Sequence, residues 1–188
     1  QNIEKKFTNY SVFSHANFLV KSSFTCAEFN DYTAFDQASF NLANFCLVKF
    51  NSAVDFNKCR FGGPTNFHCA KFSDSANFSE AVFNMSVDFK EAIFERFYPI
   101  LDGTYLHPKT MVSIREYDWP RHPRNKYQST RDDAVLAAIS CANLRYNLTT
   151  QGMPDRAHFF FQREMMLKAE TAPFGHKPFY FVYENIEI

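Results

Sequence analysis

The chain has 188 residues, enough for one or two domains with a substantial core, and 24 of them are Phe. Lys+Arg and Asp+Glu number 20 each, and neither half is unbalanced: residues 1–97 hold 9 against 10 and residues 98–188 hold 11 against 10. That balance argues against non-specific nucleic-acid binding, which favours a basic surface, and no run of eighteen apolar residues offers a membrane span.

From Phe7 to Phe94 a Phe recurs every five or six residues, at 7, 13, 18, 24, 29, 35, 40, 45, 50, 56, 61, 67, 72, 78, 83, 89 and 94. Two residues before each, from Phe13 onward, stands a small or β-branched side chain, from Ser11 and Ala16 to Val87 and Ala92. An α-helix sends residues five or six apart to diverging faces, and a flat strand sends residues five apart to opposite faces. The pattern therefore predicts stacked coils with one large and one small inward residue on each side. The spacing is an eleven-residue unit with one residue missing between Phe40 and Phe45.

This ladder resembles the pentapeptide-repeat family, with Phe in place of the central Leu and Asn or Asp often just before it, as at Asn17, Asn44, Asp55, Asn66, Asn77 and Asp88. The resemblance implies a mainly β fold: a right-handed quadrilateral β-helix of about four coils over residues 1–97. Four sides per turn put Phe13, Phe35, Phe56 and Phe78 in a first file, and Phe18, Phe40, Phe61 and Phe83 in a second. Phe24, Phe45, Phe67 and Phe89 form the third, and Phe7, Phe29, Phe50, Phe72 and Phe94 the fourth. Gly62-Gly63-Pro64 lacks the Lys and Ser/Thr of a phosphate loop and reads as a corner turn.

After Phe94 the Phe ladder ends, and residues 98–128, with Pro99, Pro108, Pro120 and Pro123, read as an extended connection packed against the coil's end. Arg115, Trp119, Arg121, Arg124 and Lys126 form a candidate interaction patch there for phosphates or lipid headgroups. From residue 129 the signals become helical. Ser129 or Thr130 can cap, Asp132 and Asp133 suit the first turn, Gly152 suits the stop, and Pro154 opens a second helix. Val135, Ala138, Ile139, Ala142 and Tyr146 make the expected buried stripe of the first helix, and Ala157, Phe160, Phe161, Met165 and Leu167 that of the second. Residues 129–188 are thus a C-terminal α-helical hairpin and tail.

Leu144–Leu148 and Ala157–Met165 are similar to a helical segment that follows pentapeptide repeats in bacterial membrane proteins with a two-helix, ion-channel-like pore. With no initiating Met, the chain reads as a fragment. The two resemblances together imply a non-enzymatic protein-interaction or scaffold module. It would be the cytoplasmic part, at the inner face of the membrane, of a larger bacterial protein anchored by segments absent from this chain.

The five Cys (26, 46, 59, 69, 141) and six His stand at no metal-site or nucleophile spacing, so no catalytic residue, metal or cofactor is expected, and the odd Cys count suits a reducing cytosol. The alternatives are a DNA-mimicking topoisomerase (gyrase) inhibitor, which the near-neutral charge of residues 1–97 disfavours, and a toxin or immunity docking component. The expected partner is another protein, with self-association through an open coil end as a further expectation and nucleic acid disfavoured.

Overall fold

The computed structural model describes residues 5–120 and 131–172. The chain forms two compact units, residues 1–121 and 122–188.

The first unit is a parallel β-solenoid with the four predicted files. Its strands are mostly two residues long and pair only in parallel, Phe on Phe: Phe7↔Phe29, Phe29↔Phe50, Phe50↔Phe72 and Phe72↔Phe94 in one sheet, Phe18↔Phe40, Phe40↔Phe61 and Phe61↔Phe83 in another. Successive rings within a file lie 4.5–5.4 Å apart and within 17° of coplanar. That spacing is set by the ladder itself, because adjacent strands lie about 4.8 Å apart. Rings of the first and third files meet edge to face, as in Phe35–Phe45 (5.6 Å, 80°) and Phe56–Phe67 (5.6 Å, 78°), the arrangement the ring quadrupole favours. Phe29, Phe35, Phe56, Phe61, Phe67, Phe72, Phe78 and Phe83 have no exposed surface, and the small partners Ala38, Cys59, Ala70 and Ala81 are equally buried.

Two kinds of bend alternate. After each Phe of the first and third files comes a tight turn, closed by bonds such as Ala38 N–H to Phe35 O (2.9 Å) and Ala70 N–H to Phe67 O (2.9 Å). The third residue of each such turn is left-handed: His15, Cys26, Gln37, Leu47, Lys58, Cys69, Glu80 and Glu91 all have φ of 55–58°. The Asn or Asp before the Phe accounts for part of this. Asn44, Asp55, Asn66, Asn77 and Asp88 each accept, through Oδ1, the backbone N–H two residues ahead (2.8–3.0 Å), an Asx turn that fixes the bend.

The other two bends are wider, and none of their residues is left-handed. At one of them the missing residue matters. Asn17–Ser23 runs over Ser39–Asn44 with a register shift between Phe18 and Lys21, since the upper coil has one residue more. On the other side of the short bend, a Cβ on Gly63 would lie 2.2 Å from the carbonyl oxygen of Asn41, so the close approach requires glycine.

The expected extended connection is instead largely a fifth coil. Ile100 bridges Asn77, Tyr105 bridges Val82, and Met111–Val112 pairs with Asp88–Phe89. Leu101, Leu106 and Val112 therefore follow Phe78, Phe83 and Phe89 in the first three files, with Gly103 (φ 64°) at the left-handed position. Trp119 ends the fourth file, stacked on Phe94 at 5.2 Å.

The second unit is an antiparallel helical hairpin, α1 (Arg131–Thr150) and α2 (Pro154–Thr171). Gly152 (φ 71°) ends α1, with Gly152 N–H on Thr149 O (3.0 Å) and Met153 N–H on Leu148 O (3.0 Å), and Pro154 occupies the first turn of α2. The α1 stripe differs from the expected one. Ala134, Ala137, Ala138, Cys141, Leu144 and Leu148 are buried, while Val135 and Tyr146 are 41% and 71% exposed. Small side chains at 134, 137, 138 and 141 let α2 approach closely, and that selects the face over side-chain hydrophobicity. Ala157, Phe160, Glu164 and Leu167 form the facing stripe of α2. Ser129 and Thr130, the expected caps, lie outside the described residues.

Candidate interaction surface

With every large inward chain locked in a file, recognition falls to the outward bends. The first-to-second turns are polar: Ser14 donates to Asp36, Asn57 Nδ2 donates to Ser79 O (3.0 Å), and Lys58 pairs with Glu80 (3.6 Å). On the fourth-to-first bends, Tyr10 stacks on Tyr32 (5.2 Å), Asn51 donates to Asn30 (2.8 Å) and Arg96 pairs with Asp74 (3.0 Å). Burial, with the nearby Asp55 carboxylate behind it, pushes the Tyr32 hydroxyl up to about 12, so it stays a neutral donor. On the third-to-fourth turns, Cys46 and Cys69 are half-buried thiols that desolvation holds above the ordinary thiol value, which makes them poor nucleophiles.

The second-to-third bend differs from these three. From coil to coil it presents Leu19-Val20-Lys21, Asn41-Leu42, Gly62-Gly63-Pro64 and Asn84-Met85-Ser86, without one carboxylate. Leu19 and Val20 are 72% and 74% exposed, and Leu42 and Met85 remain exposed at 40% and 45%. The strands Asn17–Ser23 and Ser39–Asn44 continue through the bend. The result is one apolar strip running along the solenoid and crossing its strands. Sequence reasoning followed the inward residues and missed it. The available signal was the absence of Asp and Glu from this one bend in four successive coils.

The sequence-derived patch is not assembled as a surface by the described residues. The Arg115 guanidinium is held by Asp118 (Nε to Oδ2, 2.7 Å; NH2 to Oδ1, 3.1 Å) and by Glu91 (3.4 Å), contacts that raise its pKa further. Trp119 is 3% exposed and donates Nε1–H to Ser113 O (3.1 Å), so it caps the core and does not face a ligand. Arg121, Arg124 and Lys126 lie outside the described residues.

Residues 56–97 match the family model described as pentapeptide repeats, in nine copies. These coils are pentapeptide repeats. The coils flanking the match pair in the same parallel fashion, from Phe7↔Phe29 at one end to Phe89↔Val112 at the other. No curated protein and no solved structure matches the chain. Among the described residues, no group of three or more His, Cys, Asp or Glu stands where it could hold a metal ion, and no helix is long and apolar enough to cross a membrane.

Proposed function

We propose that this protein is a non-enzymatic interaction module in which the pentapeptide-repeat solenoid is a rigid ruler and the Leu19–Leu42–Met85 bend is its recognition strip. The observation that carries this reading is the contrast between bends: three carry ion pairs, hydrogen bonds or desolvated thiols, with Leu47 and Tyr10 as isolated exposed apolar or aromatic groups among them, and the fourth exposes apolar side chains in three of its four Phe coils with no carboxylate in any of them. A solitary exposed Leu is ordinary, whereas aligned apolar groups along several coils suit the low-charge core of a protein interface. DNA mimicry draws no support from charge, because residues 5–120 hold 12 Asp+Glu against 11 Lys+Arg. The resemblance of the hairpin extends the proposal to a membrane-anchored bacterial parent, which the reading frame beyond Ile188 would test.

The direct test places a photo-crosslinking amino acid at Leu42 or Met85 of the full chain in cells, and at Lys58 for comparison. A discrete protein adduct is expected from Leu42 and Met85, lost when Leu19 and Val20 are changed to Arg. Adducts from Lys58 alone, or from no position, would remove the reading.

A further inference from the structure

The recognition strip carries charge of one sign. In the fifth coil the same bend is His107-Pro108-Lys109, so five successive coils cross the strip without a carboxylate. Lys21 and Lys109 stand exposed on the flank that leads into the third file, and Arg60, the residue before Phe61, stands exposed on the opposite flank. Among the described residues none of these three has a carboxylate within ion-pair distance, whereas Lys58, Lys71, Arg96 and Arg115 on other parts of the solenoid each have one.

We propose that the strip receives an amphipathic helix of a partner protein, laid along the solenoid with acidic residues on both sides of its apolar stripe. The proposal rests on the strip being the recognition surface and adds the partner's chemistry. Its helical form follows from the backbone. The strand Ser39–Asn44, which crosses the strip, is paired on one side with Asn17–Ser23 and on the other with Arg60–Phe61 and Thr65–Asn66, so an extended partner finds no free edge there. The N–H and C=O groups of such a partner would lie over Leu and Met side chains without hydrogen-bond partners, whereas a helix closes those bonds internally.

Spacing fits the same occupant. Coils rise about 4.8 Å each, which places Leu42 about 5 Å and Met85 about 14 Å beyond Leu19 and Val20 along the axis. A helix rising about 1.5 Å per residue sets apolar side chains at i, i+3 and i+10 over these groups, at about 0, 4.5 and 15 Å. Between Leu42 and Met85 the third coil offers Gly62-Gly63-Pro64, which has no long side chain and leaves a dip for a larger residue at i+7, about 10.5 Å along. Charge then fixes the flanks. Lys21 and Lys109 lie four coils apart, about 19 Å, a distance spanned by about thirteen helical residues, and Arg60 faces the other flank between them. Asp or Glu at those flank positions would pair with cations that have no carboxylate of their own, and Lys or Arg there would be repelled.

The test presents the full chain to a display library of helical peptides of about eighteen residues, randomised on one face, and keeps those whose binding is lost with the double variant Leu42→Asn/Met85→Gln. The selected peptides are expected to carry Leu, Ile, Phe or Met at i, i+3, i+7 and i+10, with an excess of Asp and Glu beside them. By fluorescence anisotropy the triple variant Lys21→Glu/Arg60→Glu/Lys109→Glu should bind them about tenfold or more weakly with an unchanged thermal melt, and should prefer the same peptides with Asp and Glu replaced by Lys. Selected peptides without the acidic excess, or acidic ones that bind the triple variant equally well, would overturn the proposal and leave the strip its role. A library with no peptide that depends on Leu42 and Met85 would overturn it as well, with the strip itself still judged by crosslinking from those positions in cells. Cosedimentation of the chain with phosphatidylcholine vesicles containing phosphatidylserine, lost with Leu42→Asn/Met85→Gln, would assign the strip to an anionic lipid surface and would likewise remove the helical partner.

Discussion

Phe56 shows at the scale of one residue why the repeat tolerates so little change. Its ring has no exposure, stacks at 5.0 Å on both Phe35 and Phe78, and meets Phe45 and Phe67 edge-on. Phe56→Ala would leave a cavity between two rigid layers whose separation is fixed by backbone hydrogen bonds, so little relaxation can fill it. A loss of about 3–5 kcal/mol is expected by urea unfolding. Phe7→Ala, at the half-buried end of its file, should cost clearly less; equal losses would mean that the files do not behave as stacked interior columns. Gly63 gives the complementary test, of crowding. Gly63→Ala drives a methyl onto the Asn41 carbonyl and should cost about 1–3 kcal/mol, whereas Gly62→Ala, whose Cβ would stand 3.4 Å from Phe40 O, should be tolerated. Comparing the two urea midpoints separates steric crowding from the general effect of replacing glycine.

Elements reveal what could and could not be read ahead of the structure. The files were legible to the residue because Phe has one environment that suits it and recurs without interruption. The tight turns were not, because in the Phe-bearing coils their left-handed position carries His, Cys, Gln, Leu, Lys and Glu, and a glycine marks it only at Gly103 in the fifth coil. The ladder of hydrogen bonds from the coils above and below imposes φ there and overrides local preference. The fifth coil was hidden for a different reason: Leu101, Leu106 and Val112 keep the five- and six-residue spacing, with Thr104 and Thr110 in the small positions, but Phe is absent. The helical stripe was misplaced because α1 packs through Ala and Cys. One consequence of that packing was invisible to periodicity: Glu164 is buried in the hairpin. Burial alone would raise its pKa, but Lys168 (2.6 Å) and Arg145 (2.8 Å) outweigh this and hold the carboxyl below its ordinary value. A group whose folded pKa is depressed stabilises the fold above its unfolded pKa and loses that contribution as pH falls through the folded value. The α-helical circular-dichroism signal should therefore melt at lower temperature once the pH drops below the ordinary glutamate range near 4. Glu164→Gln should flatten that acid dependence and cost about 1–3 kcal/mol at neutral pH. A variant that keeps the acid dependence would assign it to other carboxylates.

For the solenoid as a whole, stability is close to a sum over neighbouring coils, since each coil contacts only the layers beside it. The interior layers at Phe35–Phe45 and Phe56–Phe67 have rings above and below, the first coil has them on one side, and the fifth exchanges Phe for smaller Leu and Val but gains Trp119. Opening from the N-terminal end therefore breaks one interface per coil, whereas opening at the centre breaks two. Native-state hydrogen exchange should show amide protection rising from the first coil to the third, with Ser11 and Phe13 N–H exchanging well before Phe56 and Phe67 N–H, although all four bond a carbonyl of the next coil at 2.6–3.1 Å. Because the individual bonds are alike in length, a gradient can come only from the number of layers that must part. Uniform protection along residues 5–112 would mean that the coils open as a single cooperative block, and the nearest-neighbour description would then fail for a stack this short. Cys59 supplies an independent reading of the same quantity: its thiol is fully buried, donates to Phe35 O (2.9 Å) and is pushed up by burial, so labelling must wait for the third coil to open. Exposed Cys26 in the first coil should react at once, and the urea dependence of the Cys59 rate should follow that of the slowest amides.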